Sequence, residues 1–342
     1  MSSKLRHYIK ANELFMQLPI LKFHNIFKSV IWGGTRIADF KGIPPQGDNI
    51  GESWEISPLQ GKESIVDGGE FDGLSINYLT ERHPAEILGS TVTERYGNRF
   101  PLLIKFLDSN ADLSVQVHPD DTLAAERHND SGKAELWYSI APAKGAYYYA
   151  GFKEKLSKEQ FRHKIADNSI ISSLHKFKAK AGDVVPIPAG RIHSLGPGNF
   201  VCEIQQASDL TYRIYDFDRR DADGNPRELH VEESIDALNF DDLSKNVSNV
   251  APMLNKDVVL DFSQHFLATL LSVGNRGTLD LPQGKSFTVF VCIDGSALLH
   301  DPAGNVTPIR RGNTVLIPAS MPTVEVEPAG GKVDLITVSI IN

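Results

Sequence analysis

Two stretches of this chain repeat one pattern, and the repeat constrains the fold more than any other feature. Gly182-Asp183-Val184-Val185-Pro186-Ile187-Pro188-Ala189-Gly190 and Gly312-Asn313-Thr314-Val315-Leu316-Ile317-Pro318-Ala319-Ser320 each run glycine, five residues, proline, alanine and a small residue. A short apolar run between a glycine and a proline reads as a buried strand entering a turn. Each copy follows a strand pair with a glycine turn, near Lys144-Gly145 and Asp294-Gly295. With 342 residues, the chain has room for two antiparallel barrels. The expectation is a mainly β protein with an N-terminal domain over 1–245 and a C-terminal barrel over 246–342.

Other segments fit this plan. Pro101 to Leu107, Leu113 to His118, Ala134 to Ile140 and Tyr147 to Tyr149 read as strands, and strands resume from Val184 past Tyr215. Leu74 to Leu88 reads as a helix broken at Pro84. A helical insertion is expected over 157–175. Ser157 and Gln160 would form its capping box, with Phe161, Ile165, Ile170, Ile171 and Leu174 on its apolar side. Asp218 to Pro226 reads as a turn-rich loop and Ser244 to Lys256 as a polar linker.

Composition excludes several classes of function. Asp and Glu number 43 against 35 Lys and Arg, so the net charge of -8 argues against a nucleic-acid binder. Apolar runs such as Phe266 to Val273 fall far short of the roughly 18 residues of a membrane span, and no signal-peptide pattern opens the chain. Cys202 and Cys292, the two cysteines, lie in apolar runs and read as buried free thiols. A reducing cytoplasm is the expected location.

The first repeat continues Gly190-Arg191-Ile192-His193. Glycine, five residues, proline, one residue, glycine, two residues and histidine together resemble the second motif of the cupin superfamily. Cupins are small jelly-roll barrels that hold one metal. Upstream, Gln116-x-His118 and Glu135 stand where the first cupin motif would supply ligands. Residues i and i+2 of a strand share a face, so Gln116 and His118 can both point inward. Two imidazoles, one carboxylate and one amide oxygen suit a borderline cation such as zinc. In the second copy Thr323 stands in place of His193 and no Gln-x-His pair precedes it. The fold expected is therefore two cupin (jelly-roll) barrels with a small helical insertion, the C-terminal one metal-free.

Longer motifs narrow the reading. Ser114-Val115-Gln116-Val117-His118-Pro119-Asp120-Asp121, Gly132-Lys133-Ala134-Glu135-Leu136-Trp137-Tyr138 and Glu203-Ile204-Gln205-Gln206-Ala207-Ser208-Asp209-Leu210-Thr211-Tyr212-Arg213 resemble the type I mannose-6-phosphate isomerases, in their short bacterial form. Ile31-Trp32-Gly33-Gly34, Gly51-Glu52-Ser53-Trp54-Glu55 and Pro226-Arg227-Glu228-Leu229-His230 are similar to the same family. The resemblance runs from about Leu21 to the C-terminus. It implies a zinc-dependent interconversion of mannose 6-phosphate and fructose 6-phosphate, with one zinc per chain on Gln116, His118, Glu135 and His193. It also implies an active-site arginine at Arg213, a pocket glutamate at Glu203, a motif lysine at Lys133, and phosphate contacts at Ser114 and Lys105. The expected partner is a small sugar phosphate, with no nucleic acid or membrane, in a monomer or homodimer.

This chemistry needs such residues. An aldose–ketose isomerase moves a proton from C2 to C1 through a cis-enediol or enediolate, whose oxyanion must be stabilised. A base is required. Lys133, two residues before Glu135, can share its inward face and is preferred, with Glu203 as the rival. Arg213 stays protonated, so it would stabilise the enediolate or the phosphate. Trp32, Trp54 and Trp137 read as core. Two other readings stay open. His118, Glu135 and His193 alone match the triad of a non-haem iron oxygenase, and a non-catalytic bicupin that binds sugar phosphates would carry the same groups.

Overall fold

The structure is a computed structural model that describes residues 18–220 and 224–341. Three antiparallel sheets build it. The first has seven strands in the spatial order Ser248–Asn249, Asp183–Ile187, Glu135–Ser139, Phe200–Gln206, Leu102–Asp108, Ile50–Ile56 and Ile26–Gly34. A five-stranded sheet is ordered Tyr212–Tyr215, Val115–Val117, His193–Leu195, Tyr147–Phe152 and Leu174–Lys178. The eight-stranded third sheet carries the C-terminal half, with the long strands Thr288–His300 and Thr323–Ser339 at its centre.

The seven-stranded sheet is covered on both faces, which explains its nearly continuous apolar strands. Every residue of Leu102–Asp108, Glu135–Ser139 and Phe200–Gln206 is buried. Ile104, Phe106, Leu136, Tyr138, Cys202 and Ile204 join one core with Val289, Leu316, Ile336 and Val338 of the C-terminal sheet. The alternate residues Lys105, Glu135, Trp137, Glu203 and Gln205 therefore face the other way, into the N-terminal barrel.

The repeat reappears in the backbone. Gly182 and Gly312 take φ of 83° and 82°, values a side chain rarely adopts. Each precedes a strand that pairs with an earlier strand of its own copy in the same register. Glu135 lies opposite Ile187, and Thr288 lies opposite Ile317. The second copy thus carries Thr288 where the first has Glu135, and Thr323 where the first has His193. The glycine turns differ. Gly145 lies between two strands, whereas Gly295 is an irregularity inside the continuous strand Thr288–His300.

Strand pairing crosses the boundary drawn at 245/246. Leu21–Lys22 pairs with Leu316 and Val315 of the C-terminal sheet, and Ser248–Asn249 pairs with Val184 and Asp183. The expected linker therefore contains a short strand. The 157–175 helix is shorter than expected. Ser157 and Gln160 form the reciprocal capping box, but the helix covers Lys158–Ala166 only. Asn168 turns left-handed, Ile170–Ser173 forms a 3-10 turn, and Leu174 opens a strand. Pro84 does break the earlier helix, into Ile76–Arg82 and Pro84–Ile87. Helices that were not foreseen include Asp121–His128 and Val231–Ala237, besides Arg36–Lys41 and Ser90–Tyr96. Asp120 caps the first by accepting from the Leu123 N–H at 2.8 Å. Cys202 and Cys292 are buried and unpaired. Among the described residues no helix is long and apolar enough to cross a membrane.

A buried ion pair ties the two halves together. Lys41 Nζ lies 2.8 and 2.9 Å from the two oxygens of Glu55 and also donates to the Gly312 carbonyl. Ser53 and Asn25 donate to the same carboxylate. A Cβ on Gly312 would sit 2.8 Å from the Lys41 side chain, a second reason for glycine there. Removing one partner strands the other charge in a dry environment. Lys41→Ala should lower stability in urea unfolding by about 3–5 kcal/mol, and Lys41→Met with Glu55→Leu should recover most of it. A single variant as stable as the parent would contradict this account.

Candidate active site and metal centre

Strand register assembles the site. His193 and Arg213 lie on either side of Gln116, so the three share one rung of the five-stranded sheet. Across the barrel, Lys105, Glu203 and Trp137 form one rung of the seven-stranded sheet, and Glu135 lies opposite Gln205 on the next. Directly opposed residues point to the same face. His118 follows the Gln116 strand immediately.

His118, Glu135 and His193 converge. His118 Nε2 is 3.1 Å from Glu135 Oε1, and His193 Nε2 is 3.7 Å from Glu135 Oε2. One donor atom from each lies within 4.8 Å of the others. His193 Nδ1 is 2.9 Å from the Arg191 carbonyl, which fixes the proton there and leaves Nε2 its lone pair. Both imidazoles are held neutral. Burial, reinforced by Lys133, pulls His118 down to about 3, and burial lowers His193 as well. Burial alone would raise Glu135, but Lys133 and the two imidazoles hold it well below the usual carboxylate range. Both nitrogens of His118 and Oε2 of Glu135 are buried without a hydrogen-bond partner. Buried polar atoms rarely go unpaired, and two neutral imidazoles with one carboxylate are a fitting donor set for a metal ion. Gln116 adjoins this group, its Nε2 3.2 Å from His193 Nε2. A half-turn of the amide exchanges its nitrogen and oxygen, which would bring the oxygen to the cluster.

The cluster opens into a cavity of about 330 Å³. Four carboxylates (Glu52, Glu135, Glu203, Asp209) and four cations (Lys105, Lys133, Arg213, Arg227) line it, with Ser114 and Thr211. Lys105 is engaged by Glu203 Oε1 at 2.9 Å, and Lys133 by Glu135 Oε1 at 3.2 Å. Glu203 Oε2 accepts from the Trp137 indole at 2.9 Å. Burial, then the nearby Glu135 charge, pushes Glu203 above its ordinary range. At the mouth, Asp209 is 3.2 Å from Lys62 and 3.9 Å from Lys28. Burial brings Lys28, whose ammonium sits 3.3 Å over the Trp54 ring, down to about 8.

All nine residues singled out in the sequence thus lie on this barrel interior, but some have unexpected company. Trp32 lines the cavity. Arg227 was seen in a motif without a role. Its Nε donates to Asp216 at 2.7 Å, and Arg219 pairs with the same carboxylate. Arg213 Nη1 donates to the Glu228 carbonyl at 2.8 Å, while its Nε is buried without a partner. Of these groups Arg213 and Arg227 line the cavity, which makes this wall its guanidinium-bearing side. The arginine spacing around Asp216 was the available signal, but only folding of the intervening loop brings Arg227 inward.

The family model for the phosphomannose isomerase type I catalytic domain matches residues 20–150. The mannose-6-phosphate isomerase ManA of Bacillus subtilis is 34% identical over 313 residues, covering 90% of this chain and 95% of that protein. The mannose-6-phosphate isomerase of Streptococcus mutans is 42% identical over 228 residues, covering 67% of this chain and 68% of its own. A crystal structure of the mannose 6-phosphate isomerase from Bacillus subtilis superposes with a TM-score of 0.79 at 29% identity, over 95% of this chain and all of the other. With most of its length and its barrel shared in this way, the chain belongs to the type I phosphomannose isomerase family.

Proposed function

We propose that this protein interconverts mannose 6-phosphate and fructose 6-phosphate with one divalent metal ion, zinc by the chemistry of its donors, on Gln116, His118, Glu135 and His193. The observation that carries the reading is the convergence of buried, unpartnered donor atoms on His118 and Glu135 beside His193, at the floor of a cavity walled by four cations. When bound, the ion supplies Lewis acidity to the oxygens of C1 and C2.

The chain's own groups do the rest. Glu203 takes the proton from C2 and returns it to C1, while the hydroxyl proton on O2 passes to O1, so that C1 is reduced as C2 is oxidised within one molecule. It suits this role because burial raises its basicity; Lys133, the rival base, is paired with Glu135 much as Glu203 is with Lys105. Lys133 donates to the developing enediolate oxygen. Arg213 and Arg227, with the Ser114 hydroxyl, receive the phosphate, since these are the guanidinium groups that line the cavity. Lys105 keeps Glu203 in place and adds its charge to the phosphate end.

Two measurements test this reading. In D2O, fructose 6-phosphate formed from mannose 6-phosphate should carry deuterium at C1, and Glu203→Gln should slow that incorporation by about 10²-fold or more. Product with no deuterium under any condition would contradict transfer through an exchangeable base. Arg227→Ala should raise KM for the phosphorylated sugar about tenfold or more, as expected for a lost hydrogen bond to a charged group, and spare any turnover of free mannose. Equal loss on both sugars would remove Arg227 from the phosphate seat.

A further inference from the structure

We propose that Trp137 is a positioning residue that sets two functional groups at once, the Glu203 carboxylate through its indole N–H and the His193 imidazole through its ring. The Glu203 half rests on the isomerase reading above, and the His193 half rests on the metal site alone.

Trp137 stands two residues beyond Glu135 on one strand, so both side chains face the barrel interior. It lies directly opposite Glu203, which in turn lies opposite Lys105. The two oxygens of Glu203 are held by different donors. Oε1 meets the Lys105 ammonium at 2.9 Å, on a long flexible stem. Oε2 meets the indole N–H at 2.9 Å, a neutral donor that cannot accept a hydrogen bond. The indole is only 2% exposed and packs edge-on to Tyr148 at 6.5 Å, so it cannot follow the carboxylate if that group turns. Trp137 therefore fixes the plane of the carboxylate, and with it the lone pair left for a substrate proton.

The same ring meets His193 at 5.5 Å between centroids, with planes at 75°. The Arg191 carbonyl holds His193 by Nδ1. Gln116 and the His118 ring bound it on other sides, and the indole packs edge-on against the remaining flank of the imidazole. One rigid side chain thus spans the distance between a proton-transfer group and a metal-holding group. A misplacement on the order of 1 Å at such a group costs about 10²-fold in rate. Supporting partners of metal-holding histidines contribute about 10–100-fold to metal affinity.

The test uses Trp137→Phe and Trp137→Leu in the full-length protein, each alone and with Glu203→Gln, after thermal melts confirm folding. Trp137→Phe keeps an aromatic ring beside His193 but loses the N–H together with the rest of the pyrrole ring. It should lower kcat about 10–100-fold with KM within about twofold, the signature of a lost transition-state interaction. Combined with Glu203→Gln it should add less than about twofold, because the group it positions is already gone. Trp137→Leu also removes the ring, so competition with a chromophoric zinc chelator should show about tenfold weaker zinc binding, while Trp137→Phe stays at the parent value. An unchanged kcat in Trp137→Phe, or an equal loss in both backgrounds, would overturn the Glu203 half. Zinc held by Trp137→Leu as tightly as by the parent would overturn the His193 half. A folded, zinc-loaded parent without isomerase activity would sink the isomerase reading and the Glu203 half together, and the chelator competition would still decide the other.

Discussion

Glu135 is a buried carboxylate held between two neutral imidazoles and an ammonium group. An isolated charge in such a place is very costly, so the surroundings must supply compensation. The compensation comes from four directions. His118 follows one strand, His193 lies on another, Lys133 precedes Glu135 on its own, and the backbone carbonyl of Arg191 sets the tautomer of His193. None of these groups is close to all the others in sequence. They meet because two sheets face each other across a barrel narrow enough for side chains from both walls to touch. A metal ion at this point would pair the atoms left without partners, so the buried charge is best understood as half of a site.

The barrel stays narrow because its larger sheet is clamped from behind. The outer face of the seven-stranded sheet packs against the C-terminal half, and its inner face carries the polar rungs. Apolar residues toward one half and ionisable residues toward the interior alternate along the same strands. The C-terminal half shares the same repeat and the same register, yet holds Thr288 and Thr323 at the positions of Glu135 and His193. It supports the first barrel through a shared core and through the buried Lys41–Glu55 pair that reaches the Gly312 carbonyl. One copy of the fold thus holds the buried polar cluster and the other supplies the wall against which it is packed.

How much of this could be read from the sequence depended on how local each feature is. The repeat, the strands of the first barrel and the capping box at Ser157 are set by short patterns. Gln116, His118, Glu135 and His193 stood out because glycine and proline at fixed spacings frame them, and the structure brings these side chains together. Features that depend on pairing across the chain were not legible. Nothing near Lys105 announces that Glu203, 98 residues away, will engage it. Arg227 enters the cavity only through the clasp of Asp216. Trp137 looked like core, and it is core, but its N–H has a partner that only the strand register reveals. The helix drawn over 157–175 ran too far because Ile170, Ile171 and Leu174 kept an apolar spacing past the point where Asn168 turns left-handed. The two-residue strands that cross the domain boundary are too short to show any periodicity.

Sugar-phosphate isomerisation by this chain should require a metal ion on the buried cluster. The most direct measurement is a coupled assay of fructose 6-phosphate formed from mannose 6-phosphate. It should be run on the protein as purified, after chelation, and after return of zinc, with metal content measured in each sample. The account predicts turnover that is lost on chelation and restored by about one zinc per chain, in line with a site of four protein donors. Full turnover in a sample shown to be free of metal, or none in a folded and zinc-loaded one, would contradict it.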